Sequence, residues 1–514
     1  MDAGLEEASM LTTHLTTRTS RSTAPASRGG FTLVELLVSI TLVVIMMYAF
    51  SQVFRIATET IIQTRGIANN DEKARTLTTI LKSDLETRTF KTVAPWGPDE
   101  DPDNDYPPLT DLKPAERTGY FYVSENDIND DSDDVFQLTV DRFNGDAVPN
   151  TSFNNLIFGQ AVAINGAITE ENQPIWDDFD PKTDSSGEFR GTGASQFAEV
   201  CYFVRNGSLY RRVLLVRRPM DRDNMDYQPD DGTTDLIVDE YDSEDPNSAV
   251  GESDFWRDFD YSAYLDTTPA TPKVNFNGVG NGESSLENFG GVAKPLADPV
   301  HRFGFDFESG LPREFVNGNT EYIGRYTHEE TSHLNFGYPG RLPVAGSPMS
   351  AADTPTLALT QGVVSAFSGG DRISEDLLLT NVMSFDVKLW DESLGAFADV
   401  GHATSGGDFF YDDTAASAVQ QNYGPLSDYD DTVPDYTPPA VADRGHVFDT
   451  WHPAIDRYDS TVGPDVPPYR PTRIDASFTE PVPRPIRAIQ ITIRYRDPQS
   501  DKTRQLTLQH SLID

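Results

Sequence analysis

Gly29-Gly30-Phe31-Thr32-Leu33-Val34-Glu35-Leu36-Leu37-Val38 marks an abrupt change in the character of the chain. A polar leader with three arginines precedes it, and an apolar run begins at Phe31. The next charge after Glu35 is Arg55. The uncharged run between them is about 19 residues long, close to the roughly 20 that cross a hydrocarbon core as a helix. The stretch therefore predicts a membrane-spanning helix with one acid near its start.

The acid inside this run needs a partner, because a carboxylate in a membrane span costs about 2.5 kcal/mol or more. Cleavage between Gly30 and Phe31 would create a new α-amine four residues before Glu35. The Glu35 carboxylate of one subunit could then neutralise the Phe31 amine of a neighbouring subunit. The pattern thus predicts a contact that helps subunits to assemble.

This arrangement resembles the leader of type IV pilins and of type II secretion pseudopilins. Their motif is Gly, then Phe, then an apolar run with Glu at the fifth mature position, and Gly30, Phe31 and Glu35 match it. The resemblance implies that a prepilin peptidase cuts after Gly30 and that the new N-terminus, Phe31, is N-methylated. An uncleaved anchor or an ordinary signal peptide is the alternative. An ordinary signal peptide would be cut after its apolar stretch, where residues 46–50 offer no small-residue site.

The charge of the leader predicts the topology. Arg18, Arg21 and Arg28 should stay in the cytoplasm, which places everything after the span outside the inner membrane. We therefore expect a single-pass protein of the bacterial inner membrane with a periplasmic head. By the resemblance, it would be incorporated into a periplasmic filament.

Length and composition set wider limits. The chain has 514 residues, of which 37% are hydrophobic, and by length could form two to four domains. Its net charge of -42 disfavours nucleic acid as a partner, because such a surface repels phosphates. The acidity fits a saline exterior, loops that bind Ca²⁺, or merely a solvated surface. The single cysteine, Cys201, excludes an intrachain disulfide and is predicted to be buried in a strand.

One long helix is predicted from Phe31 to about Phe90. We divide the chain into a cleaved leader (1–30), this helix with its terminal turn (31–92, transmembrane over 31–54) and a β-rich head (93–514). The second half of the helix is amphipathic, with an apolar stripe at helical spacing and polar residues between. The stripe comprises Leu77, Ile80, Leu81 and Leu85, and the polar residues are Lys82, Asp84 and Glu86.

Strands are predicted after the helix. A short aromatic strand is predicted at residues 119–123. Alternating apolar residues mark further strands at 135–140, 383–389 and 489–495, and a second strand follows the last of these at 504–508. The clearest hairpin joins residues 200–205 to 208–213 through Asn206-Gly207, a pair that favours a tight primed turn. The basic pair Arg211-Arg212 could bind acids across a sheet or on a neighbouring subunit, or form unspecific surface pairs.

These strand segments extend the resemblance to minor pseudopilins of the J type, over residues 135–142, 200–212, 379–391 and 485–508. The resemblance implies an α+β, pilin-like fold: a long N-terminal transmembrane helix packed on an antiparallel β-rich head. Large insertions separate the segments, at about 143–195, 217–375 and 392–484. They are rich in Asp, Gly, Pro, Asn and Ser, and we expect small sub-sheets or surface loops there.

Candidate chemistry is sparse. Asp127, Asn129 and Asp131 place oxygen donors at the first, third and fifth positions of a loop, as Ca²⁺ loops do. The closing Gly and Glu of such a loop are missing, since Ser132 and Leu138 stand there, so a solvated turn is the alternative. No metalloprotease or serine-hydrolase motif occurs, and we expect no enzyme activity and no cofactor other than this possible Ca²⁺.

The resemblance predicts the function. The chain would be a J-type minor pseudopilin that assembles through its helix into the tip of a type II secretion pseudopilus, which drives protein export. Its partners would be the prepilin peptidase, the major pseudopilin and the I- and K-type minor pseudopilins. Glu35 argues against the K type, which lacks that acid. The alternatives are a minor pilin of a type IV or competence pilus, a membrane-anchored adhesive ectodomain, and lastly a surface-tethered hydrolase.

Overall fold

The computed structural model describes part of the chain. The described residues are 30–90, 93, 119–125, 130–143, 156–160, 192–216, 255–266, 273–278, 294–296, 302–303, 305–306, 311–312, 325–334, 336, 359–410, 447–450, 472–474, 481–497 and 502–513. The chain forms two compact units, Met1–Thr64 and Arg65–Asp514. Residues 425–439, which are rich in Asp and Pro and are predicted to form a flexible linker, lie outside the described residues.

Among the described residues, the helices comprise one long element and three short ones. Their bounds are α1 (Leu33–Glu86), α2 (Phe255–Asp258), α3 (His328–Thr331) and a single 3₁₀ turn (Ser365–Phe367). The predicted end of α1 near Phe90 is therefore wrong by about one turn. The reason is a competing backbone partner: the Thr89 N–H donates to the Thr139 carbonyl, and the Asp141 N–H donates to the Thr87 carbonyl. Residues 87–90 thus pair with a strand instead of continuing the helix.

Strands make up the other regular structure in the described ranges. They are β1 (Phe121–Ser124), β2 (Val135–Asp141), β3 (Ile157–Gln160), β4 (Thr192–Ser195), β5 (Phe197–Arg205), β6 (Ser208–Val216), β7 (Ala263–Asp266), β8 (Lys273–Gly278), β9 (Lys294–Pro295), β10 (Phe305–Asp306), β11 (Leu311–Pro312), β12 (Leu359–Thr360), β13 (Val363–Val364), β14 (Leu377–Thr380), β15 (Val382–Asp391), β16 (Ala396–Ala398), β17 (Val447–Asp449), β18 (Thr472–Ile474), β19 (Pro481–Pro483), β20 (Ala488–Asp497) and β21 (Lys502–Ser511).

Two antiparallel sheets organise the second unit. The larger has six strands in the order β14-β6-β5-β2-β1-β17, and the smaller has four in the order β16-β15-β20-β21. The predicted hairpin is confirmed: β5 and β6 pair with Arg205 opposite Ser208. Its turn residues have positive φ, 47° at Asn206 and 71° at Gly207, as a primed turn requires. An apolar N-terminal helix and an antiparallel β-rich body are therefore both present.

The insertions carry small sheets of their own. Residues 143–195 contribute the β3-β4 pair, and residues 217–375 contribute the three-stranded sheet β7-β8-β9 with the pairs β10-β11 and β12-β13. The pair β18-β19 lies in the third insertion. The described parts of the insertions thus include the small sub-sheets that were one of the two expectations.

The C-terminal end of α1, which we call its base (residues 77–86), packs into the hydrophobic core of the body. Leu77, Leu81 and Leu85 are buried in one cluster with inward side chains of both large sheets, among them Phe136 and Ile491. The opposite face of the six-stranded sheet is also covered, by a cluster that includes Tyr120, Tyr122, Cys201, Phe203 and Tyr210. The burial expected for Cys201 is confirmed. Every side chain of β2 is buried for the same reason, because both faces of the sheet are packed.

A buried ion pair fixes the same part of α1. Asp84, expected on the polar face, has no exposed surface. Its carboxylate accepts hydrogen bonds from Arg211 on β6, at 2.8 Å from Nε and 3.0 Å from Nη2, and from the Tyr202 hydroxyl. Arg142 lies 3.4 Å away. Arg211 is thus not one of the unspecific surface pairs, because it neutralises an acid of the helix.

Candidate functional site at the N-terminal motif

Gly30 and Phe31, the predicted cleavage residues, lie just before α1. A Cβ added at Gly30 would contact nothing within 4 Å among the described residues, and Gly30 has no left-handed φ. The fold therefore does not require glycine there. Phe31 is 80% exposed, which leaves the peptide bond between the two residues open to a peptidase. A need for Gly30 would arise from recognition by another protein.

Thr32 and Glu35 form a capping box at the start of the helix. The Glu35 N–H donates to the Thr32 hydroxyl at 3.3 Å, and the Glu35 carboxylate accepts from the Thr32 N–H at 2.9 Å. The Thr32 hydroxyl also donates to the same carboxylate oxygen, Oε2, at 2.9 Å. The box satisfies two of the backbone donors that a helix N-terminus leaves without intrahelical partners.

Glu35 therefore has a second role besides the predicted pairing with an amine. Both bonds from Thr32 end on Oε2, and Oε1 accepts no hydrogen bond from the described residues. One oxygen is held by the helix start while the other remains open. The sequence contains the signal for this second role, since Thr32-x-x-Glu35 before an apolar run is the pattern of a capping box, whereas the resemblance to pilins points only to the acid.

The helix that follows is suited to an apolar environment. Leu33–Thr58 is the one helical segment among the described residues that is long and apolar enough to cross a membrane, with 26 residues and a mean hydropathy of 2.4. At 1.5 Å per residue it is about 39 Å long, more than the roughly 30 Å of a hydrocarbon core. Its polar side chains are satisfied internally: the hydroxyls of Ser39 and Thr41 each donate at 2.8 Å to the carbonyl four residues earlier.

The apolar side chains of this segment are exposed on every face of the helix. Leu36, Leu37, Val38 and Ile40 are consecutive or nearly so, and each is at least 53% exposed. Four such positions cover more than a full turn, so no single stripe faces a core. A helix with this pattern is stable only in lipid or among other apolar helices.

The structure tests little of the predicted Ca²⁺ loop. Asp127 and Asn129 lie outside the described residues. Asp131 is described: its side chain is 45% exposed and lies 3.6 Å from Arg494 at the surface of the body. The role of these three residues as ligands stays a prediction.

Comparison with known proteins identifies the motif. The family model for the prokaryotic N-terminal methylation motif matches residues 25–47, which contain Gly30, Phe31, Thr32 and Glu35. A search of curated proteins found no match, and a search of solved structures found none either. The chain thus carries a prepilin-type N-terminal motif, and the apolar helix expected after such a motif follows it.

Proposed function

We propose that the chain is a minor pseudopilin of the J type, which assembles into the tip of a type II secretion pseudopilus. The observation that carries this proposal is the methylation motif at residues 25–47, joined to a helix whose apolar side chains are exposed on all faces. A motif of this kind marks proteins that are anchored in the membrane by one helix and then assembled. The proposed role is assembly, and no catalytic step is assigned.

Maturation would begin at Gly30. A prepilin peptidase cuts before Phe31, and the new amine is methylated. Cleavage removes the three leader arginines and leaves Leu33–Thr58 as the membrane anchor. The head then lies in the periplasm, because the arginines hold the leader on the cytoplasmic side.

Assembly would use the two oxygens of Glu35 differently. Oε2 stays bound to Thr32 and so keeps the carboxylate at the start of the helix. Oε1 accepts a hydrogen bond from the methylated, positively charged amine of Phe31 in an adjacent subunit. In an apolar environment this charge-assisted bond is strong, and an unpaired carboxylate is costly, so correct register is favoured over a shifted one.

The finer assignment to the J type rests on the resemblance of four sequence segments to J-type pseudopilins. The four segments that resemble J-type pseudopilins are separated by long insertions in the chain, yet they become neighbours in the sheets. β2, β5, β6 and β14 are consecutive strands of the six-stranded sheet, and β15, β20 and β21 are consecutive strands of the other. The expected partners are the major pseudopilin and the I- and K-type minor pseudopilins. A minor pilin of a type IV or competence pilus is the second candidate, because it would carry the same motif, and co-purifying proteins distinguish the two.

The proposal is tested by separating the charge of Glu35 from its capping role. Glu35→Gln removes the charge and keeps an oxygen that can accept from Thr32. Thr32→Ala removes the cap, at a cost of about 0.5–2 kcal/mol to the helix start, and keeps the charge. Both variants should be processed. We expect Glu35→Gln to be largely missing from isolated filaments and Thr32→Ala to be incorporated almost as well as the wild type.

Two outcomes would contradict the mechanism. Normal incorporation of Glu35→Gln would show that the charge is not needed. Equal loss in both variants would show that the helix cap matters and the ion pair does not.

A further inference from the structure

A small cavity lies against the six-stranded sheet, inside the body. Its lining consists of buried residues of the sheet and of the second insertion (217–375): Gln137, Glu199, Cys201, Phe203, Arg212, Leu214, Phe303 and Arg325. Gln137, Cys201 and Arg212 are paired directly on β2, β5 and β6, so they form one row across the sheet. Phe303 and Arg325 belong to the insertion and face the same cavity.

Arg212 is the unusual member of this lining. It is 4% exposed, yet its Nε, Nη1 and Nη2 donate no hydrogen bond to any described residue. The guanidinium carbon lies 4.3 Å from the centroid of the Phe303 ring. A guanidinium has five N–H donors in a planar fork, and buried polar groups are almost always hydrogen-bonded. The cavity beside Arg212 is therefore the place where an acceptor can reach these donors.

The one carboxylate of the lining, that of Glu199, is not hydrogen-bonded to Arg212. Its oxygens accept from the Tyr120 hydroxyl, the Gln137 amide and, at 2.9 Å, the Ser262 hydroxyl. All three donors are neutral. The lining thus contains two guanidinium groups and one carboxylate, which leaves an excess of positive charge around the cavity.

Three further acids attract Arg212 through space but do not contact it. Each is hydrogen-bonded to a basic side chain of its own: Glu330 to Arg205, Asp260 to Arg372 and Asp376 to His328. Burial outweighs the attraction of these acids and of Glu199, and it lowers the pKa of the Arg212 guanidinium. A buried charge without a bonded partner is costly, so the site favours a small anion.

From this geometry we infer that Arg212 and Arg325 bind a single chloride ion in the cavity. The cavity has a volume of about 20 Å³. One water needs roughly 10–15 Å³, so the space admits one ion of a single atom and excludes phosphate, sulfate and organic anions. A water could accept a hydrogen bond from the fork of Arg212, but it would bring no negative charge to the buried guanidinium.

The position of the ion defines its effect. Arg212 belongs to β6, whereas Arg325 belongs to the second insertion, shortly before α3. Phe303 is held within the same insertion by Trp256 and Tyr326, whose ring centroids lie 5.9 and 6.0 Å from its own. A chloride bound by both guanidinium groups therefore joins the insertion to the sheet, and a ligand that binds only the folded state stabilises it. This inference stands independently of the proposed role in a filament.

The test compares two sodium salts on the full chain, purified in detergent without chloride. Thermal unfolding is measured while NaCl replaces sodium gluconate at constant ionic strength, so that screening of the acidic surface does not change. Gluconate is too large for the cavity. Arg212→Met removes the charge and the donors and keeps an unbranched side chain. The matched control is Arg494→Met, the same substitution at a side chain that is 48% exposed.

We expect a saturable rise in the unfolding temperature with chloride for the wild type and for Arg494→Met. The apparent affinity for chloride should fall about tenfold or more in Arg212→Met, because charge-assisted hydrogen bonds are lost. Arg212→Lys keeps the charge without the planar fork, so it should respond only at higher chloride concentrations. Should Arg212→Met fail to fold, Arg212→Lys and a calorimetric titration of the wild type with NaCl for one saturable site decide the question.

Three results would overturn the inference. A wild type that unfolds at the same temperature in both salts would mean that a water fills the cavity and joins Arg212 to Gln137, whose Oε1 accepts no hydrogen bond from the described residues. A full response in Arg212→Met would place the bound chloride elsewhere. An equal loss of response in Arg494→Met would mean that chloride acts on arginine charges in general and not at one site.

Discussion

Replacing Asp84 by alanine tests how the base of α1 is held on the body. The variant removes the acid that Arg211 contacts through two nitrogens, at 2.8 and 3.0 Å. It also removes the acceptor of the Tyr202 hydroxyl. Breaking a buried ion pair from one side costs about 3–5 kcal/mol, because the remaining charge is left without compensation. The Arg211 side chain is 18% exposed and so keeps some contact with water, which favours the lower end, about 3 kcal/mol.

The control is Glu86→Ala, a substitution of the same kind two residues further along the helix. Glu86 is 54% exposed and pairs with Lys82 at 3.5 Å. An exposed pair of this spacing contributes about 0.3–0.5 kcal/mol. Urea unfolding of the full chain in detergent, followed by tryptophan fluorescence with Trp256 buried in the body as one reporter, measures both variants.

A double variant makes the test specific to charge. Adding Arg211→Met to Asp84→Ala removes the uncompensated guanidinium, so the double variant should be more stable than the sum of the two single effects predicts. A loss below about 1 kcal/mol for Asp84→Ala would refute the view that this ion pair fastens the helix. Strict additivity in the double variant would do the same.

Two further predictions concern acid sensitivity and turn geometry. Burial tends to raise the pKa of Asp376, but the positive charge of His328 and two hydrogen bonds from it outweigh burial and hold that pKa below its usual value. Its contribution is therefore present above about pH 4 and lost as the pH falls through the lowered pKa, so Asp376→Asn should destabilise the chain more at pH 7 than at pH 3 in urea unfolding, and an equal loss would contradict this. Gly207 has a φ of 71°, and an added Cβ would lie 3.4 Å from the Val382 carbonyl oxygen. Gly207→Ala should cost about 1–2 kcal/mol in the same assay, and a neutral effect would show that the turn relaxes.

Local patterns in the sequence predicted the elements of the fold well. Three examples are the start of α1, the Asn206-Gly207 hairpin and the alternating strand β15. Each is determined by residues that are close together in the sequence. The end of α1 could not be placed in the same way, because it depends on backbone pairing with β2, about 50 residues later. Asp84 was assigned to the polar face for a related reason: its partner, Arg211, is 127 residues away along the chain.

The candidate sites show the same division. Gly30, Phe31 and Glu35 form a local motif, which the comparison with known families also found. Thr32 was within reach of sequence reasoning, because the capping box is a four-residue pattern. The ion pair between Asp84 and Arg211 was not, since only the packing of α1 against β6 brings those residues together.

The N-terminal mass of the protein purified from membranes tests the central claim most directly. Prepilin processing predicts a mature chain that begins at Phe31 and carries one methyl group on its α-amine. An intact Met1, or a terminus beyond Phe54, would mean an ordinary anchor or a conventional signal peptide. Pairing of Glu35 with the Phe31 amine would then be impossible, and the proposed assembly mechanism would be wrong.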